Sequence, residues 1–103
     1  MSLLWKIVLD TMNIEEVDID LLKTNLNKVK HHNKKNIQSI IQSLNKFGQY
    51  SPLIVNKSNY EILKGVGTYL AMKKLKWKTC KVCFVDLDDK AQKELIILDN
   101  RTS

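Results

Sequence analysis

The sequence predicts an α+β domain in which a small mixed β-sheet packs against three or four helices. Two observations indicate this class: the chain contains one clearly amphipathic helical segment, and short apolar runs of strand length are interspersed with further helical segments. The 103 residues match the usual size of one domain, and 44% of them are hydrophobic. A chain of this composition can bury one core without a disulfide or a metal.

The N-terminal part is predicted to contain two strands, a helical turn and a polar loop. Residues 3–9 form an apolar run, residues 15–19 alternate weakly between polar and apolar side chains, and residues 20–23 resemble one helical turn. Residues 24–36 are rich in Asn, Lys and His. We interpret them as a loop, the kind of segment that often carries functional residues.

The clearest helix is predicted from Ile37 to Phe47. Apolar residues recur there at i, i+3, i+4, i+7 and i+10, which places them in one stripe along a helix. Gly48 follows and is suited to a left-handed cap that ends the helix. The residues of the stripe are Ile37, Ile40, Ile41, Leu44 and Phe47.

A β-hairpin is predicted next. Leu53–Val55 is a continuous apolar run, which is typical of a buried strand. Tyr60–Lys64 alternates as a returning partner strand does. The polar residues 56–59 between them are predicted to form the turn.

A turn that contains glycines, Gly65–Thr68, separates this hairpin from a predicted helix at Tyr69–Leu75. The order of strand, glycine turn and helix directs free backbone N–H groups at an anion. The alternative is that the glycines only allow a tight turn and that Thr68 only caps the helix.

The C-terminal part is predicted to hold one more strand, Cys80–Val85, and a last helix. Asp86–Asp89 supplies N-cap oxygens for that helix. Ala91, Leu95 and Leu98 are expected on its buried face.

The charge of the chain favours polyanionic partners, because the net charge is +6. Of the 17 basic residues only Arg101 is an arginine, so base-specific recognition by a bidentate guanidinium group is nearly excluded. The lysines of residues 73–78, with Trp77 among them, are either a nucleic-acid-binding patch or solvated side chains around a core tryptophan. An AT-rich genome would explain the lysine content equally well.

Metal and redox sites are not predicted. Cys80 and Cys83 have the C-x-x-C spacing that often indicates zinc or redox chemistry. On a strand, however, residues three apart point to opposite faces, so the two sulfurs could not share a metal or a disulfide. Asp86, Asp88 and Asp89 are interpreted as helix caps rather than metal ligands.

No segment approaches the roughly 20 apolar residues that are needed to cross a bilayer. The N-terminus also lacks the basic region and the apolar core of a signal peptide. We therefore expect a cytoplasmic protein without a membrane partner.

Several segments, in this order, resemble the ParB-like domain of the ParB/sulfiredoxin superfamily. Such domains occur in chromosome- and plasmid-partitioning proteins, in phage proteins and beside some DNA methyltransferases. The resemblance implies a ParB/sulfiredoxin-like fold for residues 17–103, as part of a longer chain, with residues 1–16 as an N-terminal extension or extra strand. The matching segments are Asn27 with His31, Ile37–Gln49, Pro52–Val55, Tyr60–Gly65, Ala71–Trp77, Val85–Asp89 and Asp99–Thr102.

The signature of this family is only partly present. At the start of the helix after the hairpin it usually reads Gly, then His, Glu or Cys, then any residue, then Arg, and the arginine and the helix N-terminus together hold phosphate. Here Gly65 matches, Val66 replaces the polar or nucleophilic residue, and Thr68 replaces the arginine. Valine is neither a nucleophile nor a base, which excludes a sulfiredoxin-type reaction at this position. Threonine donates one hydrogen bond but does not offset the charge of a phosphate.

The resemblance therefore implies a binding module in a DNA-associated protein, which contacts nucleic-acid or nucleotide phosphate weakly at Gly65–Tyr69. One alternative is an active ParB-like nuclease or nucleotide triphosphatase. The missing arginine and the lack of an acid–base pair argue against it. Another is a degenerate domain that is kept for protein–protein contact.

No catalytic residue, metal or required cofactor is predicted, and a nucleotide is left open as a ligand. The resemblance also leaves open a homodimer and a C-terminal DNA-binding or methyltransferase domain. Arg101 would replace the missing arginine if the last helix folded beside the Gly65 turn. The candidate phosphate- or nucleic-acid-binding residues are His31, Gln49, Lys64, Gly65, Gly67, Thr68, Tyr69, Lys73 and Arg101.

Overall fold

The computed structural model describes residues 14–24 and 34–102, with the side chains of residues 36–98 in the second range. These residues form a four-stranded mixed sheet and three helices, which confirms the predicted α+β class. The elements in chain order are β1 (Ile14–Asp18), a 3₁₀ turn (Ile19–Leu21), α1 (Lys34–Phe47), β2 (Leu53–Asn56), β3 (Glu61–Lys64), α2 (Val66–Lys74), β4 (Thr79–Val85) and α3 (Asp89–Thr102).

The strands lie in the order β1-β4-β2-β3. β2 and β3 form the predicted antiparallel hairpin, β2 and β4 are parallel, and β1 is antiparallel to β4. The parallel pair is thus in the centre of the sheet, and every residue of β2 is buried. This explains why the sequence of β2 is a continuous apolar run rather than an alternating one.

The two faces of the sheet bury separate apolar clusters. Leu53 and Val55 belong to the larger cluster, which α1 and α2 cover, whereas Ile54 and Cys83 belong to a smaller cluster on the opposite face. Leu95 of α3 packs in the smaller cluster. The helices therefore form a layer on each side of the sheet.

The predicted amphipathic helix is confirmed as α1, with a different start and one misplaced residue. It begins at Lys34 rather than Ile37 and ends at Phe47. Gly48 forms the expected left-handed cap, with a φ of 72° and an N–H bond to the Leu44 carbonyl at 2.9 Å. Phe47 was expected in the buried stripe but is 68% exposed. At 3.6 residues per turn it lies about 80° round the helix from Ile37, at the edge of the stripe.

The hairpin turn differs from the prediction at both of its ends. Asn56 is the last residue of β2 rather than part of a surface turn, and Tyr60 lies in the turn, with a φ of 59°. The Tyr60 N–H bonds to the Asn56 carbonyl at 2.7 Å, which closes the turn. The Tyr60 ring packs edge-on against Phe84, with 5.3 Å between the ring centroids.

A buried polar network joins the hairpin to α3. Asn56 is fully buried, and its Oδ1 accepts from the Leu87 N–H at 3.1 Å. Its Nδ2 donates to the Leu87 carbonyl at 3.0 Å and to Gln92 Oε1 at 2.6 Å. Gln92 Nε2 in turn donates to the Glu61 carboxylate. The amide of Asn56 thus satisfies backbone groups of the segment that leads into α3.

The buried face of α3 is correspondingly different from the prediction. The N-cap is confirmed, because the Ala91 N–H bonds to Asp88 Oδ1 at 2.8 Å, and Leu95 is buried. Leu98 is 42% exposed, however, and Gln92 takes a buried position at 4% exposure. The face of α3 was misjudged because a glutamine is ordinarily assigned to the solvent side.

Replacement of Asn56 by alanine is expected to lower the free energy of unfolding by about 2–3 kcal/mol. The part-buried N–H of Leu87 loses the Asn56 acceptor, and the Leu87 carbonyl and Gln92 Oε1 each lose one of their two donors. Urea unfolding of the two proteins, followed by circular dichroism, measures the difference. Ser58→Ala is the control. The Ser58 hydroxyl also bonds to Asn56 Oδ1 and to the Leu87 carbonyl, but Ser58 is exposed, so its loss should cost less. Equal losses in the two variants would contradict the structural role of the Asn56 amide.

The C-terminus of α2 ends in a Schellman-type turn. The Trp77 N–H bonds to the Met72 carbonyl at 3.0 Å, and the Lys76 N–H bonds to the Lys73 carbonyl at 3.1 Å. Lys76 occupies the left-handed position of this turn, with a φ of 61°. Glycine is the usual residue there, because a Cβ is strained at positive φ.

Lys76→Gly is therefore expected to raise the free energy of unfolding by about 0.5–1 kcal/mol. The substitution relieves backbone strain, and part of this gain is offset because glycine increases the conformational entropy of the unfolded chain. The midpoint of urea unfolding reports this change. The matched control is Lys74→Gly, which places glycine in the last helical turn and should destabilise the protein by about 0.5–1 kcal/mol. A loss of stability in both variants would show that the left-handed turn carries no strain.

Some predictions fall outside the described residues. They are the strand at residues 3–9 and the part of the polar loop from residue 25 to residue 33. In the described part of the chain, no helix has the length and apolar character that crossing a membrane requires.

Candidate functional site

The helix α2 begins one turn earlier than the sequence predicts. Gly65 is its N-cap residue, with a φ of 101°, and the Tyr69 N–H bonds to the Gly65 carbonyl at 2.9 Å. Thr68 therefore lies inside the first turn and is not the cap. The N–H groups that precede the first intrahelical bond are those of Val66, Gly67 and Thr68, and the amide of Tyr69 is not among them.

Gly65 lies against the central strand β2. A Cβ at this position would be 2.6 Å from Cδ2 of Leu53, closer than two carbon atoms approach without displacement. The left-handed φ and this close approach both require glycine. As a result α2 follows β3 directly, and it packs on the face of the sheet that carries the larger apolar cluster.

Gly65→Ala is expected to lower the free energy of unfolding by about 2–4 kcal/mol, the sum of left-handed strain and displacement of Leu53. Gly48→Ala is the matched control, since Gly48 also has a positive φ but no atom within 4 Å of an added Cβ. That variant should lose only about 1–2 kcal/mol. Equal losses, measured by urea unfolding, would contradict the close packing of Gly65 on Leu53.

The first turn of α2 opens at Thr68 into a groove between α1 and the segment that follows it. We call this the Thr68 groove; its volume is about 180 Å³. Gly67 is buried, so the turn reaches the groove at Thr68 and not along its whole length. The eight lining residues are uncharged, and four of them carry hydroxyl groups on aliphatic side chains. They are Ser39, Ile40, Ser43, Leu44, Gln49, Tyr50, Ser51 and Thr68.

Gln49 forms a wall of this groove through bonds to β4. Its Nε2 donates to the Lys81 carbonyl at 2.8 Å and to the Ser51 carbonyl at 3.1 Å, and its Oε1 accepts from the Lys81 N–H at 2.8 Å. The side-chain amide therefore pairs with a strand peptide as a neighbouring strand would. These bonds hold the chain between α1 and β2 in place beside Thr68.

Lys73, a predicted site residue, lies in the last turn of α2, about 10 Å along the helix axis from its start at 1.5 Å per residue. Its Nζ is 3.0 Å from Asp20 Oδ1 and 5.9 Å from the centre of the Tyr69 ring. The hydrogen bond to Asp20, with smaller effects of nearby charges, raises the pKa of the Lys73 ammonium. Both side chains of this pair are exposed, so solvent screens it strongly.

The structure brings together only some of the predicted site residues. Thr68 and Gln49 line the same groove, and Lys64 ends β3 immediately before Gly65. His31 lies outside the described residues, as does the side chain of Arg101.

The serines of the groove were not among the residues predicted from the sequence. Ser39 and Ser43 are four residues apart on α1 and next in sequence to Ile40 and Leu44. That spacing places both hydroxyls on one side of the apolar stripe, which is the signal that could have identified them.

The two cysteines lie in a strand, as predicted, and belong to different clusters. Cys80 packs in the larger cluster and Cys83 in the smaller one, on opposite faces of the sheet. Burial, with the nearby charges of Asp18 and Glu16, raises the pKa of the Cys80 thiol to about 11. This thiol is protonated at neutral pH and is a poor nucleophile there. In the described residues no group of His, Cys, Asp or Glu side chains is arranged to hold a metal ion.

Comparison with known families shows which family the chain belongs to. A family model described as the ParB N-terminal domain matches residues 7–101. The chain belongs to the ParB N-terminal domain family. A search of curated protein sequences gave no match.

Several solved structures share the fold of this chain. The C-terminally truncated chromosome-partitioning protein ParB from Caulobacter crescentus, complexed with CTP-gamma-S, has a TM-score of 0.75 and 22% identity over 88% of this chain and 54% of that one. The same protein complexed to the centromeric parS site has a TM-score of 0.66 and 23% identity over 84% and 46%. Sulfiredoxin from Arabidopsis thaliana has a TM-score of 0.70 and 16% identity over 82% and 97%.

These similarities confirm the predicted ParB/sulfiredoxin-like fold. The chain spans about half the length of the two ParB chains that it matches. At these identities the likeness concerns the fold, so the ligands of those proteins are not thereby ligands of this one.

Proposed function

We propose that this chain is a ParB-type module of a DNA-associated protein, which binds phosphate groups of a nucleotide or of nucleic acid at the Thr68 groove. The observation that carries the proposal is that the first turn of α2 opens at Thr68 into a groove whose lining includes three serines. Membership of the ParB N-terminal domain family supports it, and so do the CTP-gamma-S and parS complexes of the Caulobacter protein.

The chemistry of the groove favours weak binding. Thr68, Ser39 and Ser43 line the groove and carry hydroxyl groups that can donate hydrogen bonds, and the N-terminus of a helix has a partial positive charge. None of the lining residues that the structure describes supplies a full positive charge, and neutral hydrogen bonds to phosphate are about half as strong as charge-assisted ones. The net charge of +6 adds a long-range attraction that salt screens.

The proposal is one of binding without turnover. Val66 stands where the family usually has a polar or nucleophilic residue, and valine is neither a base nor a nucleophile. A role in partitioning, a homodimer and a C-terminal DNA-binding or methyltransferase domain are further parts of the proposal that rest on the family alone. Measured hydrolysis of CTP or cleavage of DNA by this chain would contradict binding without turnover.

Thr68→Arg tests the proposal, because it places a guanidinium group where the family has one. It is expected to tighten CTP binding roughly tenfold, the effect of one charge-assisted contact. Isothermal titration with CTP, and fluorescence anisotropy with a labelled duplex at about 50 mM and about 200 mM salt, measure the change. Circular dichroism checks that the variant is folded.

The control is Gln38→Arg, which adds the same charge on the exposed face of α1 opposite the groove. A gain in Thr68→Arg alone supports a phosphate site at Thr68. An equal gain in both variants indicates general attraction and counts against the site. If wild-type protein and Thr68→Arg both fail to bind CTP and DNA at low salt, the proposed function is wrong.

A further inference from the structure

We propose that a second groove, at the start of β4, binds single-stranded nucleic acid through its phosphates and one base. We call it the Lys78–Lys81 groove; its volume is about 390 Å³. The inference goes beyond the proposed function, because its lysines and its tryptophan do not line the Thr68 groove. The lining residues are Glu16, Gln49, Trp77, Lys78, Thr79, Cys80 and Lys81.

Two features of the fold bring these residues together. The left-handed turn at Lys76 ends α2 and directs Trp77 and Lys78 to the sheet, where the Ile19 N–H bonds to the Lys78 carbonyl at 3.0 Å. β1 then pairs with β4, which sets Glu16 directly opposite Lys81. The groove is therefore built from a helix end and two paired strands rather than from one loop.

The charges of this groove are available to a ligand. Lys78 and Lys81 are both exposed, and neither forms an ion pair with a side chain that the structure describes. Lys73 differs from them, because Asp20 holds its ammonium. Among the described lining residues Glu16 is the one carboxylate, so two positive charges accompany one negative charge there. Lysine attracts phosphate as a point charge and does not distinguish bases.

Trp77 gives the groove an aromatic wall. Its side chain is partly buried against the larger apolar cluster and also lines the groove. The bond from its N–H to the Met72 carbonyl holds its backbone in place. Bases of a single strand stack on such fixed aromatic side chains, and this stacking is tolerant of sequence.

The shape of the groove favours a single strand over a duplex. A concave site of a few hundred cubic ångströms accommodates one extended strand and the base attached to it. The bases of a duplex are stacked on each other and do not offer a face to a tryptophan. Gln49 lines both grooves, so a nucleic-acid strand in the Lys78–Lys81 groove would pass next to the Thr68 groove.

The test uses the 103-residue chain and a fluorescein-labelled oligothymidylate of about 12 nucleotides, within the usual range of single-strand sites. The double variant Lys78→Gln with Lys81→Gln should bind it roughly tenfold more weakly at about 50 mM salt, and the slope of log K against log salt should become shallower by about 1.4. Glu16→Gln should bind it more tightly, an outcome that a folding defect cannot produce.

Tryptophan fluorescence supplies a second measurement. In a Trp5→Phe background the emission comes from Trp77 alone, and a base stacked on the ring should quench it as the oligonucleotide is added. Emission that stays unchanged while anisotropy reports binding would overturn the role of Trp77.

The matched control is Lys57→Gln with Lys93→Gln. It removes the same charge from the hairpin turn and from α3, and the Lys57 N–H bonds to Val85 at the other end of β4. Equal weakening in the two double variants, or tighter binding of a duplex of the same length than of the single strand, would overturn the inference.

Titration with CTP separates this inference from the proposed function. The Lys78 and Lys81 double variant is expected to bind CTP as the wild-type protein does, since its lysines do not line the Thr68 groove. If neither the wild-type protein nor Thr68→Arg binds CTP, the nucleotide site proposed at Thr68 is wrong. The oligonucleotide measurements still decide whether the Lys78–Lys81 groove binds a single strand.

Discussion

The close approach of Gly65 to Leu53 sets the position of α2 on the sheet. Because Gly65 has a left-handed φ and no side chain, the chain passes from β3 into α2 without a connecting loop. The first turn of α2 then buries Gly67 against the core and brings Thr68 to the edge of the Thr68 groove. This contact therefore positions Thr68 beside the serines of α1.

Charge is distributed unevenly around this surface. The described lining of the Thr68 groove is uncharged. Lys73 is paired with Asp20, and Lys78 and Lys81 line the adjoining groove. A phosphate in the Thr68 groove would be bound by a helix N-terminus and hydroxyl groups. A nucleic-acid strand in the Lys78–Lys81 groove would be bound by lysine charges and by stacking on Trp77. Gln49, held by the peptide of Lys81, is the wall that the two grooves share.

Most elements could be predicted from local pattern, but several boundaries and one burial pattern could not. α1, the hairpin and β4 follow from periodicity and turn residues. Two positions that appear polar on sequence alone, Asn56 and Gln92, are buried because they satisfy each other and the backbone at Leu87. Such a network requires two segments that are distant in sequence, so no window along the chain reveals it. The four-residue spacing of Ser39 and Ser43 on α1 is a local signal, but only the packing of distant segments shows that these serines share a groove with Thr68.

By itself the sequence determined the fold class, the family resemblance, the loss of the signature arginine and the position of the glycine turn, since each depends on residues that are close in the chain. Tertiary structure alone decided that α2 begins at Val66, that Lys73 is paired with Asp20, and that Lys78 and Lys81 share a groove with Trp77. These features depend on packing and strand register between distant segments. A side chain's neighbours across a sheet or between helices are set by that packing and not by its own propensity.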